Sequence, residues 1–180
     1  MQRKRLLIAV RALAGLLLGI LLWWGLTEPY TEVLAALAQP IVRALERSPM
    51  TRLRPNRGEI VIDRADFRPT TARPALSAGH LTANIILLTA LFAANPKPLG
   101  LRNVAGFAQA ALILVVIHVL AVVVNVQSIY AWDLGEWSAR NYGTVARTFW
   151  EGAMHFYTLA GSFGSAFLLW WLISRMGAQT

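Results

Sequence analysis

VAGFAQAALILVVIHVLAVVVNV, residues 104–126, runs for 23 positions without one charged side chain. At about 1.5 Å of rise per residue, a helix of this length crosses the ~30 Å hydrocarbon core of a bilayer. Three further apolar stretches lie on either side of it, at residues 6–26, 76–94 and 153–173. The stretch 76–94 is the shortest and carries His80, Thr82 and Asn84. The pattern predicts an all-α membrane protein, a four-helix transmembrane bundle with a small extracytoplasmic amphipathic helix and β-hairpin insertion. Residues 1–180 then form a single transmembrane domain, with outer segments at 27–75 and 127–152.

Composition agrees, with 56% hydrophobic and only 14% charged residues. The net charge of +8 is scattered through loops and ends, with no basic helix face or aromatic-studded basic sheet, so nucleic acid is not an expected partner. The 15 arginines against two lysines read as genome composition. Cysteine is absent, which removes disulfides, thiolate metal sites and a cysteine nucleophile together.

The positive-inside rule sets the orientation. Arg3, Lys4, Arg5 and Arg11 precede or open the first stretch, and no acid occurs before Glu28. Four spans return the C-terminus to the same side, where Arg175 lies, and Lys97 and Arg102 of the short 95–103 connection join them there. Both termini are therefore expected in the cytoplasm. Against this, segment 27–75 carries eight arginines (43, 47, 52, 54, 57, 64, 68 and 73), which keeps the inverted orientation as the alternative. Residues 1–26 read as an uncleaved anchor: the apolar run is long and closes on Trp23-Trp24-Gly25 where a signal peptidase needs small residues.

The outer segments have local signals of their own. Thr27-Glu28-Pro29 has the form of a helix start, and Leu34, Leu37, Ile41 and Leu45 recur at helical spacing with Glu32, Arg43, Glu46 and Arg47 opposite. An amphipathic helix lying on the outer surface and bent near Pro40 is predicted. Pro55-Asn56-Arg57-Gly58 is a turn sequence between Met50–Arg54 and Glu59–Asp63, and a hairpin follows. Residues 127–152 interleave Tyr130, Trp132, Trp137, Tyr142, Phe149 and Trp150 with charges, as one or two short interfacial helices broken near Asn141-Tyr142-Gly143.

Polar groups inside spans are expensive and invite a functional reading. His80, Asn84, His118, Asn125 and His155 all fall in the outer half of the predicted bundle, and Arg140 and Arg147 of the adjoining loop could converge on them. His80 and Asn84 stand one turn apart on one predicted helix face. The seven define a candidate outward-facing pocket for a lipid headgroup, a glycan-lipid or a peptide tail. Hydrogen bonding between helices is the competing reading. The three histidines lack metal-ligand spacing, and no Gly-x-Ser-x-Gly motif supports serine catalysis, so no metal, cofactor or catalytic residue is assigned. Gly15-x-x-x-Gly19 and Gly161-x-x-x-Ser165 are small-residue faces suited to close helix approach.

In layout the chain resembles the small four-span membrane proteins encoded beside exosortases. The features that carry the likeness are Arg3–Arg5, Trp23-Trp24, Gly58–Arg68, Pro96–Arg102, Tyr130–Trp150 and Trp170-Trp171-Leu172. The resemblance implies a multi-pass protein of the bacterial inner membrane that assists a protein-sorting or surface-polymer export system. Its partners would be the lipid bilayer and another integral membrane protein. Exosortases themselves resemble transpeptidases using Cys, Arg and His; with no cysteine here, no catalytic role carries over. The expectation is a non-enzymatic accessory subunit. A small membrane enzyme or lipid-headgroup-binding protein is the alternative, decided by whether His118, Asn125, Arg140 and His155 meet around a cavity.

Overall fold

The computed structural model describes residues 2–46, 49–67 and 72–176, the side chain of Met176 excepted. Arg47, Arg68 and Pro69, which enter the sequence reading, lie outside the described residues. The elements run α1 (Gln2–Leu45), β1 (Thr51–Asn56), β2 (Glu59–Arg64), β3 (Ala75–Ser77), α2 (Ala78–Thr82), α3 (Asn84–Ala93), α4 (Leu101–Trp132), α5 (Glu136–Asn141), α6 (Thr144–Phe156) and α7 (Ser162–Met176). A π-helical turn, Tyr157–Gly161, joins α6 to α7. Among the described residues three helical runs are long and apolar enough to cross a membrane: Gln2–Leu45, Leu101–Trp132 and Thr144–Arg175. The run Ala78–Ala93 is shorter. Contacts divide the chain into two units: Met1–Leu26, Thr82–Val116 and Ala160–Thr180 in the first, Thr27–Leu81 and Ile117–Leu159 in the second.

The first unit is helical. A Cβ on Gly19 would stand 2.9 Å from the Ile86 Cα, and one on Gly15 would collide with the Ala93 Cβ. The predicted Gly15-x-x-x-Gly19 face is thus where α1 and α3 meet, antiparallel and nearly backbone to backbone. A Cβ on Gly106 would likewise stand 2.9 Å from Ile173, where α4 meets α7, and Phe92 and Phe107 cross edge to face at 5.6 Å. At one end of this unit Arg11 donates to the carbonyls of Asn95 (3.4 Å) and Pro96 (2.9 Å), and Trp170 Nε1 donates to Asn95 Oδ1 (3.3 Å).

The second unit is a small antiparallel sheet covered by helix. The order is β1-β2-β3, with Leu53 opposite Ile62 and Ile60 opposite Leu76. The predicted hairpin is present. Its two-residue turn puts Arg57 (φ 46°) and Gly58 (φ 79°) both in the left-handed region, the geometry that matches the twist of the flanking strands. Alternation sends Ile60, Ile62 and Arg64 to one face. Against that face pack Leu34, Ala35, Ala38 and Val42 of α1 and Val119, Val122, Val123, Val126 and Tyr130 of α4. The outer edge of β1 is tied to α1: Leu53 N–H donates to Gln39 Oε1 (2.9 Å), and Arg43 Nε donates to the Thr51 carbonyl (2.7 Å).

Several expectations are corrected. No helix starts at Thr27; α1 runs unbroken through Pro29 and Pro40. Burial of Thr31, Leu34, Ala35, Ala38 and Val42 outweighs the local proline penalty, and Thr31 Oγ1 adds a 2.6 Å bond to the Thr27 carbonyl. Of the predicted apolar stripe only Leu34 is buried, whereas Leu37, Ile41 and Leu45 are exposed. The face that packs is the small one, which lets the sheet approach the helix. The stretch 76–94 is not one helix. Leu76 and Ser77 belong to β3, and the rest divides at Ala83 into α2 and α3, so His80 and Asn84 share no single helix. The third apolar stretch continues as helix past residue 126 to Trp132, and the 144–156 helix runs on into the fourth.

Candidate functional site

Among the described residues of the second unit, a dense polar cluster gathers around Arg64. Strand alternation turns Arg64 inward, where its side chain is 5% exposed. Nη1 meets Glu46 Oε1 at 2.9 Å, while Nε and Nη2 make a two-pronged contact with Asp66 at 2.8 and 3.1 Å. The guanidinium lies 5.3 Å from the Tyr130 ring centre and 4.9 Å from that of Trp137. Glu46, 3% exposed, also accepts from the Met50 amide (3.0 Å), the Thr51 amide (3.3 Å) and the Thr51 hydroxyl. Thr51 Oγ1 in turn meets the Tyr130 hydroxyl. A buried carboxylate persists only with such a full set of partners.

Electrostatics follow the geometry. Burial pulls the Arg64 pKa down, but the hydrogen bond to Asp66 and the charges of Glu46 and Asp66 outweigh it and hold the value above that of ordinary arginine. The hydrogen bond from Arg64 lowers Asp66 below the usual carboxylate value, against an opposing contribution from burial. Burial raises Tyr142 above the usual tyrosine value. The Tyr142 hydroxyl donates to Gln127 Oε1 at 2.7 Å, and Gln127 Nε2, fully buried, has no hydrogen-bond partner among the described residues. Beside this network is a recess of about 300 Å³ lined by Leu45, Glu46, Arg64, Asp66, Trp137, Asn141, Tyr142 and Ala146.

The residues singled out from sequence have separate partners. Asn84, 2% exposed, donates to the Ser162 carbonyl (2.7 Å) and to Ser165 Oγ (3.2 Å), joining α3 to α7. His118, 1% exposed, meets the Tyr30 hydroxyl through Nδ1 at 2.7 Å, with the rings edge to face. Asn125 donates to the Ala121 carbonyl one turn back, and Arg140 pairs with Glu136 on the exposed side of α5. Arg147 lies over the Trp132 ring at 4.0 Å, and its carbonyl accepts from Trp132 Nε1. His155 is 3.9 Å from Glu151 on its own helix, and His80 is exposed, its amide 3.5 Å from Ser77 Oγ.

Sequence reasoning missed the Arg64 cluster. The signal was present, because the period of two in Glu59–Arg64 puts Arg64 in line with Ile60 and Ile62. The loop aromatics predicted for the headgroup layer are divided: Tyr130 is buried and Trp137 and Tyr142 partly buried beside it, while Trp132 and Phe149 are exposed. Comparison with known proteins finds no match: no family model fits the chain, and no curated protein or solved structure is significantly similar to it.

Proposed function

We propose that this chain is a non-enzymatic accessory subunit of the bacterial inner membrane. It crosses the membrane four times with both termini in the cytoplasm, and docks a second integral membrane protein through its extracytoplasmic unit. An exosortase-type sorting or export system is the setting that the layout of the chain suggests. The observation that carries the docking role is the Arg64 cluster. Its buried charges are committed to one another, to backbone amides and to aromatic rings, which suits a rigid recognition surface more than a centre that must release protons. Asp66, Asn141 and Trp137 at the adjacent recess offer a partner mixed polar and aromatic contacts.

Two features support the four crossings. Arg11 near the start of α1 and Trp170 near the end of α7 both bond Asn95, in the connection between α3 and α4. Residues near the start of α1 and near the end of α7 thus share one loop, an arrangement consistent with an even number of crossings. Helix α1, at 44 residues, has about twice the residues that one crossing needs.

A photo-crosslinking residue at Asn141, in cells growing with their native neighbours, tests the docking role. The expected product is one stoichiometric adduct with a membrane protein, absent when the probe stands at Leu159. A protein that purifies alone, carrying a specific lipid lost in His118→Ala, would overturn the accessory role.

A further inference from the structure

Strand alternation gives the sheet of the second unit two faces of different character. Thr51, Leu53, Ile60, Ile62 and Leu76 point inward and are buried, with Arg64 among them. Arg52 and Arg54 of β1 point outward and are exposed, about 6.7 Å apart along the strand. On the same side Asp63 of β2 is already engaged at both oxygens: Arg54 Nη2 stands 3.3 Å from Oδ2, and Arg73 Nε stands 3.1 Å from Oδ1. Arg52 is directly opposite Asp63 in the β1–β2 register, yet it has no ion pair or hydrogen bond among the described residues. The other acid of β2, Glu59, is opposite Asn56 at the turn end, where Arg57 is also exposed. Around Asp63 the outward face thus carries three guanidinium groups to one carboxylate. It is also bare of apolar surface: among the described residues from Thr51 to Ser77, no large hydrophobic side chain is exposed.

We propose that this outward face docks an acidic segment of the partner protein, whose aspartates or glutamates meet Arg52 and Arg54. Charge complementarity selects an anion, and the planar fork of arginine matches a carboxylate in two-pronged contact. Asp63, held between Arg54 and Arg73, shows the same chemistry within the chain. The Arg54 side chain is 62% exposed, so its bridge to Asp63 is of the solvent-screened kind that contributes little and gives way to an incoming carboxylate. A lipid surface is disfavoured, because nothing on this face would enter acyl chains. The edge amides of Thr51 and Leu53 are spent on Glu46 and Gln39, so the segment is gripped by side chains over the face and not added as a strand. The inference rests on the docking role proposed above and names the chemistry of the partner. It uses the face of the sheet opposite to the one that carries Arg64.

Fluorescence anisotropy with the full chain in detergent tests this, the probe being a labelled peptide of alternating aspartate and serine. Its asparagine–serine counterpart is the control, and a galacturonic acid oligomer and dioctanoyl phosphatidylglycerol are the competitors at equal charge. The aspartate peptide should bind and the asparagine peptide should not. Affinity should fall about threefold for each arginine removed, so about tenfold in Arg52→Gln/Arg54→Gln. It should rise in Asp63→Asn, which removes the resident carboxylate. Lys4→Gln/Lys97→Gln, the same charge taken from elsewhere, should change nothing. An unchanged arginine double variant, or a lysine double variant that loses as much, overturns the surface. Displacement by the galacturonic acid oligomer or by the lipid as effective as that by unlabelled peptide overturns a protein segment as the occupant. In cells, a photo-crosslinking residue at Asn56 should capture the protein captured at Asn141, with a yield that collapses in Arg52→Gln/Arg54→Gln. An adduct at Asn141 with none at Asn56 overturns this surface and leaves the docking role standing. No adduct at either position overturns the docking role itself.

Discussion

Replacing Arg64 by methionine is the sharpest test of how the second unit is held together. The substitution keeps an unbranched chain against Tyr130 and Trp137 but removes the cation from a Glu46 carboxylate whose side chain is only 3% exposed. Breaking one member of a buried ion pair costs about 3–5 kcal/mol, because the remaining charge stays desolvated. Two amides and the Thr51 hydroxyl still serve Glu46, so the lower part of that range is expected. The double variant Glu46→Gln/Arg64→Met removes both charges and keeps the acceptor for those donors; it should recover roughly 2 kcal/mol of the loss. Hydrogen exchange of the Ile60 and Ile62 amides in detergent reads opening of the sheet directly. Exchange should speed up about 100-fold or more in Arg64→Met, and far less in the double variant. An acceleration under about fivefold in the single variant would refute the reasoning, since the pair would then behave like a solvent-screened surface bridge. Equal acceleration in both variants would refute it equally, by showing that packing and not charge is what Arg64 contributes.

Other perturbations should separate the remaining contributions. Gly15→Leu or Gly19→Ile, forced against α3, should destabilise by about 1–3 kcal/mol in detergent unfolding, whereas Gly25→Ala, with nothing within 4 Å of its Cβ, should be neutral or mildly stabilising. Asn84→Ala should cost roughly 0.6–2 kcal/mol in the same assay by removing the bonds to Ser162 and Ser165. In the hairpin turn, Arg57→Asn should stabilise and Gly58→Val should slow or prevent folding of β1 and β2, measured by exchange of their amides, because both positions require positive φ. Asp66, lowered by Arg64, contributes stability that is fully present above the unfolded carboxylate pKa of about 4 and is lost as pH falls through the lower folded value. This acid-side dependence should shrink in Arg64→Met, as an acid titration of both proteins would show.

The parts of the fold that sequence revealed are those written locally. The Pro55-to-Gly58 turn, the long apolar runs, the break at Asn141-Tyr142-Gly143 and the Gly15/Gly19 packing face all depend on neighbours within a turn or two. The continuous α1 was hidden by a conflict of signals: Thr27 and Pro29 look like a start, and only distant burial of Leu34, Ala38 and Val42 overrides them. The buried stripe is hard to read from sequence because size is a poor guide to burial here: close sheet-on-helix packing selects alanine and leaves Leu37 and Ile41 outside. Strand β3 is three residues long and merges with an apolar run, so it carried no signature of its own. For the candidate sites the obstacle is separation along the chain. Tyr30 and His118 are 88 residues apart, Asn84 and Ser162 are 78 apart, and Arg64 gains its role only when α4 and α5 bring Tyr130 and Trp137 over it.

The treatment of β1 limits how any partner can approach. Edge strands usually offer a row of open amides to which a neighbouring chain can add itself as another strand. On β1 the Thr51 amide goes to Glu46, the Leu53 amide goes to Gln39, and the next position in that row, residue 55, is a proline with no donor. The Thr51 carbonyl is taken by Arg43, and β3 at the opposite edge is only three residues long. The sheet is closed to β-augmentation from the β1 side and offers little purchase from the other. Any recognition by this unit would therefore have to be written in side chains, and could be altered one residue at a time without disturbing the main-chain ladder.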